Sequence, residues 1–210
     1  MTRILIADDH EVVRRGLEGI LTEALNPVHV GQAANSQQTI EAVHREPWDI
    51  VLLDINMPGR SGLEVLEELR RLHPKLPVVV LSAFPEGDYA LRSLKLGAAG
   101  YLTKQSASDE LLAAVRKALA GGKYVTASVA EKLAASLAGE TSAAPHETLS
   151  NRELQVLRLI ASGKTVKEVA AELMLSDKTI GTYRARISEK LRLATNVELT
   201  RYALHHKLVV

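Results

Sequence analysis

The fold is decided by residues 50–59, which read I-V-L-L-D-I-N-M-P-G. Four apolar residues lead directly into Asp54, and the M-P-G segment that follows Asn56 favours a turn. An apolar run of this length between turn residues is typical of a strand that is buried on both faces of a parallel sheet. Asp54 is therefore expected where the strand leaves the sheet, at the edge where parallel α/β sheets bind ligands.

The chain on both sides of this strand alternates between apolar, strand-like runs and helical patterns. Strands are predicted at 3–7, 28–33, 49–53, 77–81 and 100–103. Helices are predicted at 11–23, 36–46, 61–73, 87–96 and 108–119. Ser36 is the predicted N-cap of the second of these helices and Ser61 that of the third. Strands and helices in strict alternation predict an α/β domain whose parallel sheet is covered on both faces.

The rest of the chain is helical in pattern and has no strand-like run. A helix is predicted at 125–137, and residues 139–145 (G-E-T-S-A-A-P) have the composition of a linker. Ser150 and Glu153 form a capping box for the first of four further helices, and the other three are predicted at 166–174, 178–191 and 196–205. We therefore predict a domain at 1–120, a connector helix and linker at 121–145, and a small all-α domain at 146–210.

Composition and charge limit the classes of protein to which this chain can belong. The 210 residues include no cysteine, which excludes disulfides and cysteine metal sites. No stretch is long and apolar enough to cross a bilayer and the N-terminus does not resemble a signal peptide, so a cytoplasmic protein without membrane attachment is expected. From residue 145 onward there are 11 basic and 7 acidic residues, against 15 and 18 before it. A basic small domain behind an acidic larger one favours nucleic acid as a partner of the second half.

Polar residues follow four of the predicted strands, and the alternation places all of them at one edge of the sheet. Three carboxylates crowded there would repel one another unless a cation neutralised them, and Mg²⁺ suits an oxygen-rich site that also receives phosphate. A lysine can hold a phosphoryl oxygen and a serine hydroxyl can donate to another. Each residue alone has a plainer interpretation as a helix cap or a solvated strand end, so the prediction depends on the set: Asp8, Asp9, Asp54, Ser82 and Lys104.

Four runs in this first half closely resemble the receiver domain of two-component response regulators: I-L-I-A-D-D-H, D-I-V-L-L-D-I-N-M-P-G-R-S-G, V-V-V-L-S-A and G-A-A-G-Y-L-T-K. The resemblance covers roughly residues 1–120 and implies a five-stranded, doubly wound sheet in the order 2-1-3-4-5. It also implies that Asp54 accepts a phosphoryl group from a sensor histidine kinase.

Further roles at this site are implied by the resemblance alone. Asp9 would bind Mg²⁺ directly, Asp8 mainly through water, and Asn56 through its backbone carbonyl, beside Asp54 itself. The remaining residues would contact the phosphoryl group or respond to it, and they are Ser82, Lys104 and Tyr101. Without the resemblance, Tyr101 is simply a half-covered strand residue. Gln105 stands where many receivers have a proline after a cis bond, which leaves the isomer of the bond after Lys104 open.

The predicted helix at 178–191 has two different faces. Ile180, Ile187 and Leu191 recur at helical spacing and are expected to face inward. The opposite face is small and polar with cations at its flank, and it comprises Lys178, Gly181, Thr182, Ala185 and Glu189, flanked by Arg186 and Lys190. Such a face can sit deep in the major groove while Lys and Arg reach phosphates. A solvated basic helix in a small bundle is the alternative.

Residues 149–207 also resemble the LuxR-type four-helix DNA-binding domain found in NarL/FixJ-like regulators. The resemblance implies that 178–191 is the recognition helix, that 166–174 supports it, and that 196–205 is a dimer surface. The implied DNA-binding residues are Lys178, Thr179, Gly181, Thr182, Tyr183, Ala185, Arg186 and Lys190. The adjacent His205 and His206 are expected at an exposed terminus and not at a metal site.

Together these features predict a phosphorylation-dependent transcription regulator that binds double-stranded promoter DNA as a homodimer. It would not be an enzyme beyond catalysing its own phosphorylation and dephosphorylation. Two alternatives stay open. A phosphohydrolase would use Asp54 as a nucleophile with free turnover, although no second acid or substrate cap follows the aspartate. A binding protein would instead dock its helical tail to another protein. Salt-dependent binding to duplex DNA distinguishes a DNA-binding tail from a protein-docking one.

Overall fold

A computed structural model describes residues 1–57, 60–83, 88–137, 144–206 and 208–209. The predicted Pro58-Gly59 turn, the first residue of the helix predicted at 87–96, and most of the predicted linker lie outside these residues. The chain divides into two compact units, Met1–Leu133 and Ala134–Val210. Among the described residues, no helix has both the length and the apolarity needed to cross a membrane.

The first unit is built on a five-stranded sheet in which every strand pair is parallel. The strands are β1 (Thr2–Ala7), β2 (Val28–Ala33), β3 (Ile50–Asp54), β4 (Val78–Ser82) and β5 (Gly100–Thr103). Their order is β2-β1-β3-β4-β5, which confirms the predicted topology. Every residue of β3 and β4 is buried, as expected for central strands that are covered by helices on both faces.

Helices follow the strands in alternation and cover the sheet. They are α1 (Glu11–Ala24), α2 (Ser36–Arg45), α3 (Gly62–Leu72), α4 (Asp88–Lys95) and α5 (Ser108–Leu119), and α6 (Ala127–Leu137) comes after them. One face of the sheet packs on α1 and α5 through fully or almost fully buried side chains that include Ile4, Ile6, Leu21, Leu52, Leu102 and Val115. With aromatic residues at 3% of the chain, this core is made mainly of Leu, Ile, Val and Ala side chains.

Two capping predictions had different outcomes. Ser61 caps α3 with a complete capping box, in which Glu64 accepts from the Ser61 N–H. The prediction that Ser36 caps α2 was wrong, because the cap is Asn35, whose side chain accepts from the Gln38 N–H at 2.9 Å. Ser36 is the first helical residue, and its hydroxyl donates to a backbone carbonyl of the loop before α3.

After the end of α6, the described residues of the second unit form a short 3-10 helix, Pro145–Thr148, and four α-helices. These are α7 (Asn151–Ala161), α8 (Val166–Leu173), α9 (Asp177–Leu191) and α10 (Asn196–His205). Capping boxes begin α7, α8 and α10, so each of these helix starts has internal partners for its first N–H groups. The turn between α8 and α9 is tight, and Met174 adopts the left-handed conformation there, with φ of 51°.

Candidate functional site

The carboxyl ends of four strands meet at one edge of the sheet and carry the polar residues that were predicted to lie together. Asp8 directly follows β1, Asp54 ends β3, Ser82 ends β4, and Lys104 directly follows β5. Asp8, Asp54 and Ser82 are completely buried. The parallel topology thus brings these polar residues together at one edge, where the described residues form a buried acidic pocket that contains the Lys104 ammonium.

Lys104 bridges two carboxylates in this pocket. Its Nζ lies 2.6 Å from Asp8 Oδ2 and 2.8 Å from Asp54 Oδ2, and its side chain is 14% exposed. The Lys104 backbone N–H donates to the Ser82 carbonyl at 2.7 Å, which fixes the residue to the end of β4. The peptide bond between Lys104 and Gln105 is trans, and among the described residues the cis bond is the one between Asn26 and Pro27.

The electrostatic balance of the pocket is unfavourable to the Asp54 carboxylate. Burial raises the pKa of Asp54 above its ordinary value, although the Lys104 ammonium and the Asn56 N–H lower it in part. Burial alone would lower the pKa of Lys104, but the Asp54 and Asp8 carboxylates outweigh it and raise that pKa. Lys104 therefore stays protonated, whereas the Asp54 carboxylate would be stabilised by any further positive charge that enters the pocket.

Asp54 is held by the loop that follows it. Its Oδ1 accepts from the Asn56 N–H at 3.0 Å, and the Gly62 N–H donates to the Ile55 carbonyl at 3.1 Å. Gly62 lies so close that a Cβ on it would overlap the Asp54 carbonyl oxygen and come within 2.5 Å of the Ile55 Cα. The start of α3 thus packs directly on the backbone that carries the Asp54 carboxylate.

His10 is a neighbour of the pocket that was not predicted. Its Nδ1 lies 2.8 Å from Asp9 Oδ1 and 3.2 Å from Asp8 Oδ1, and its backbone N–H donates to Asp8 Oδ1 at 2.8 Å. The only signal in the sequence is its position directly after the two aspartates. Because the imidazole is 64% exposed, it lies at the mouth of the pocket and not inside it.

The pocket fits a divalent cation. Ligand atoms of Asp8, Asp9, His10 and Asp54 all lie within 4.8 Å of one another. Asp8 Oδ2 and Asp9 Oδ1 are buried and lack a hydrogen bond of acceptable geometry, although Lys104 and His10 are near them. Buried carboxylate oxygens without aligned donors are suited to a hard cation such as Mg²⁺. Asn56 lies two residues after Asp54 and donates its N–H to Asp54 Oδ1 at 3.0 Å, and its predicted role as a carbonyl ligand stays a prediction.

Tyr101 lies on β5 opposite Val80 of β4 and is 3% exposed. The prediction from the strand pattern alone was a half-covered residue, and the structure has it buried more deeply than that. The switching role that the receiver resemblance implies for Tyr101 stays a prediction.

In the second unit, α9 has the two faces that its sequence predicts. Ile180 and Ile187 are fully buried and Leu191 nearly so, while Tyr183 and Arg184 are half-buried. The opposite face is exposed and comprises Lys178, Gly181, Thr182, Ala185, Arg186 and Glu189. A Cβ added at Gly181 would meet no atom within 4 Å, so no side chain projects from the helix surface at this position.

Three of the predicted DNA-binding side chains on α9 have partners inside the unit, and one of them is the Thr182 hydroxyl, which donates to the Lys178 carbonyl at 3.0 Å. Thr179 belongs to the N-cap of α9, with its N–H donating to the Ser176 hydroxyl at 3.1 Å. Lys190 pairs with Glu153 of α7, with 2.6 Å between Nζ and Oε2. Helical spacing placed Lys190 at the flank of the outward face, and the family resemblance alone added Thr179 to the DNA-binding set. Neither argument shows partners that lie on the same turn or on another helix.

A receiver-like phosphoacceptor pocket and an exposed helix-turn-helix define the class of protein as a response regulator with a DNA-binding output domain. Comparison with family models agrees for each half. Residues 4–116 match the response regulator receiver domain, and residues 147–203 match the luxR family of bacterial regulatory proteins. The chain therefore belongs to the response regulators that join a receiver domain to a LuxR-type DNA-binding domain.

Relatives of full length support this assignment. The chain is 38% identical to the response regulator GacA of Pseudomonas protegens, over all of this chain and 98% of the relative. It is 34% identical to the response regulator UvrY of Escherichia coli K12, over 99% of this chain and 96% of the relative.

Solved structures give the same relationship at lower identity. A structure of the RcsB response regulator of Salmonella typhimurium aligns over 98% of both chains with a TM-score of 0.74 and 28% identity. A second RcsB structure, from Salmonella enterica serovar Typhimurium, is bound to the promoter rprA in the presence of the phosphomimetic BeF3⁻. It aligns over 96% of this chain and 97% of that one, with a TM-score of 0.67 and 29% identity.

Proposed function

We propose that this protein is a phosphorylation-controlled transcription regulator in which Asp54 accepts a phosphoryl group from a sensor histidine kinase. The observation that carries the proposal is the geometry around Asp54. Its carboxylate ends a central strand, lies in a buried acidic pocket, and is held between the Asn56 N–H and the Lys104 ammonium. Such an arrangement orients a nucleophile whose charge is poorly stabilised until a cation and a phosphoryl group arrive.

The transfer step exchanges one bond to phosphorus for another. A carboxylate oxygen of Asp54 attacks the phosphorus of a phosphohistidine, and the nitrogen–phosphorus bond breaks. The electron pair stays on the kinase imidazole, which takes up a proton from water, and Asp54 becomes an acyl phosphate. Lys104 then exchanges its contact with Asp54 for a phosphoryl oxygen, and the Ser82 hydroxyl, at the end of the neighbouring strand, donates to another.

Asp8, Asp9 and Asp54 would hold Mg²⁺, together with the backbone carbonyl of Asn56. When bound there, the ion offsets the negative charge that develops on the phosphoryl oxygens during transfer. The buried carboxylate oxygens of Asp8 and Asp9 that lack aligned donors support this assignment. His10, at the mouth of the pocket, would keep the Asp9 carboxylate turned inward.

The output is binding to double-stranded promoter DNA through α9. Gly181 and Ala185 let the helix approach base edges closely, while Lys178 and Arg186 reach phosphates and Thr182 faces the bases. Binding as a homodimer through α10 would place two such helices on successive half-sites. The RcsB complex with promoter DNA, at 29% identity, supports this part of the proposal. Acting on promoters would require the protein to work in the cytoplasm.

Phosphorylation controls this output by changing the charge of one pocket. Phosphoryl esters carry about −1.5 to −2 charge at neutral pH, and on Asp54 such a group replaces the single negative charge of the carboxylate. That charge draws the Ser82 hydroxyl and the Lys104 ammonium toward it, and Tyr101, on β5 three residues before Lys104, would respond to the rearrangement. In this scheme the protein catalyses only its own phosphorylation and dephosphorylation.

DNA-site selection with the full-length protein, with and without acetyl phosphate and Mg²⁺, tests both halves of the proposal. Enrichment of a two-fold-symmetric sequence only after phosphorylation is the expected result, and Asp54→Asn should abolish both the labelling and the enrichment. Retained labelling of Asp54→Asn would reject the phosphoacceptor. Multiple turnover on a small phosphate ester would instead identify a phosphohydrolase, and loss of duplex binding with capture of a protein would identify a protein-docking tail.

A further inference from the structure

The recognition helix α9 carries four cations, and the structure divides them into two pairs. Lys178 and Arg186 are exposed on the outward face. Arg184 donates from Nε to the Asn196 side chain at 2.7 Å, and Lys190 donates to Glu153 at 2.6 Å. Two of the four cations of α9 thus have partners within their own domain, although the Lys190 side chain is still 39% exposed.

The Lys190 ammonium contacts a buried carboxylate that has a second partner of its own. The Glu153 side chain is only 4% exposed, and its Oε2 also accepts the Ser150 N–H at 2.7 Å in the capping box of α7. The Lys190 ammonium reaches the Thr148 carbonyl as well, at 3.3 Å. Burial alone would raise the pKa of Glu153, but hydrogen bonds from Lys190 and Ser150 lower it below its ordinary value, so the carboxylate is ionised at neutral pH.

This contact joins the last turn of α9 to the first turn of α7. Arg184 joins the middle of α9 to the first residue of α10 in the same way. Two polar contacts at different points along a helix restrict its rotation about its own axis, in addition to the buried contacts of Ile180, Ile187 and Leu191. Base readout needs side chains within about 0.5 Å and 10–20° of their productive positions. A helix held by such ties is preorganised for the groove, and so loses less entropy on binding.

We propose that Lys190 is a positioning residue, which sets the orientation of α9 through Glu153 and makes no phosphate contact. The inference rests on the proposed DNA-binding function and gives Lys190 a different role from the DNA contact that the family resemblance implies. Removing Lys190 should therefore weaken specific binding without changing the number of counterions that binding releases.

The test measures the affinity of full-length, phosphorylated protein for the duplex recovered by site selection, over a range of salt concentrations. Lys190→Gln should weaken binding about three- to tenfold, and the slope of log K against log[salt] should stay that of the wild type. Lys178→Gln and Arg186→Gln are matched controls from the same helix, and each should reduce the slope by about 0.9 as one phosphate contact is lost.

The partner variant separates a positioning role from a simple stabilising one. Glu153→Gln keeps an acceptor for the Ser150 N–H but removes the charge, so it should reproduce the loss caused by Lys190→Gln. The double variant should lose no more than either single variant, because both remove the same tie. Lys190→Arg should restore most of the affinity.

Three results would overturn the inference. A slope that falls by about 0.9 in Lys190→Gln would make Lys190 a phosphate contact. Unchanged affinity in Lys190→Gln, measured far below its unfolding transition, would make the pair merely stabilising. Additive losses in the double variant would show that the two residues act separately. If the wild type itself shows no salt-dependent duplex binding, the proposed function fails first, and that result is distinct from the other three.

Discussion

Lys104 and Asp54 are 50 residues apart in the chain, and their charged groups meet at 2.8 Å. Asp54 is completely buried and the Lys104 side chain is 14% exposed, so this ion pair is largely removed from water. The ammonium also contacts Asp8, which means that one cation offsets two buried carboxylates. The residue proposed to hold a phosphoryl oxygen is therefore the residue that maintains the pocket before phosphorylation.

We expect Lys104→Gln to lower the free energy of unfolding of the receiver by about 3 kcal/mol, because it leaves two buried carboxylates without a compensating charge. Urea unfolding in EDTA at neutral pH measures the effect. Adding Asp54→Asn should recover part of the loss, because one of the orphaned charges is then gone. The exposed Lys75→Gln is the control and should change stability by less than about 0.5 kcal/mol. A similarly small effect of Lys104→Gln would contradict this account of the pocket.

Asp54→Asn should raise the stability of the metal-free protein at neutral pH, on the order of 1 kcal/mol. Burial raises the pKa of Asp54, so the folded protein binds its proton more tightly than the unfolded chain does. The contribution of this group is fully present below its unfolded pKa and is lost as the pH rises through the folded pKa. The advantage of Asp54→Asn should therefore be present at pH 7 and shrink as the solution is acidified.

Thermal unfolding in EDTA between about pH 4 and pH 7.5 checks this pH dependence, since the ordinary pKa of an aspartate is near 3.9. The wild type and Asp54→Asn should converge at the acid end of the range and separate toward neutral pH. A wild type more stable than Asp54→Asn at pH 7 would mean that Lys104 overcompensates the cost of burial.

Mg²⁺ should stabilise the wild-type receiver by about 1.4 kcal/mol at ten times its dissociation constant, since only the folded pocket assembles the ligands. Asp9→Asn should remove most of this gain, because it withdraws one carboxylate from the site. Asp49→Asn makes the same chemical change at the start of β3, at the opposite edge of the sheet, and should leave the gain intact. Thermal unfolding with and without Mg²⁺ gives the measurement. Equal Mg²⁺ stabilisation of Asp9→Asn and Asp49→Asn would rule out the proposed ligand set.

The sequence determines the elements and the shared edge of the sheet for physical reasons. The apolar run before Asp54 can only be buried on both faces, and parallel strands in alternation with helices must bring their carboxyl ends together. Asp8, Asp54 and Lys104 therefore converge in the structure as the alternation predicts. Helix ends are less determined, because Asn35 and Ser36 are both good caps and only the tertiary structure selects Asn35.

Partner choice is the part that sequence reasoning could not supply. Helical spacing places Lys190 on the flank of α9, but it does not show that Glu153, 37 residues earlier, lies within reach of the ammonium. His10 is a similar case, since a histidine after two aspartates can turn to solvent or to either carboxylate. Long polar side chains have several rotamers of similar energy, so their partners depend on the surrounding structure and not on their position along the chain.

Gly62→Ala should destabilise the receiver by about 2–3 kcal/mol, because a methyl group there would overlap the Asp54 backbone. The displaced carboxylate should also accept phosphate from acetyl phosphate more slowly. Gly19→Ala is the matched control: it lies in the middle of α1 and a Cβ there meets nothing within 4 Å. That variant should gain about 0.5–1 kcal/mol from helix propensity and keep the labelling rate of the wild type. Wild-type labelling by a well-folded Gly62→Ala would show that the loop tolerates the added group.

Met174→Gly should stabilise the turn between α8 and α9 by about 0.5–1 kcal/mol. Met174 caps α8 with a left-handed φ of 51°, a conformation that costs a residue with a Cβ about 1–2 kcal/mol and costs glycine nothing. The side chain is 72% exposed, so its removal gives up little packing. The larger conformational freedom of glycine in the unfolded chain offsets part of the gain.

Hydrogen exchange of the α8 and α9 amides in the full-length protein measures this effect locally. Protection should increase about two- to fivefold in Met174→Gly, which corresponds to the stated range of free energy. Ala171→Gly, three residues earlier in the same helix and also exposed, reverses the argument, because its helical conformation gains nothing from glycine. That variant should lose protection by a similar factor. If both glycine variants lose protection, the left-handed backbone at residue 174 is not the source of strain in this turn.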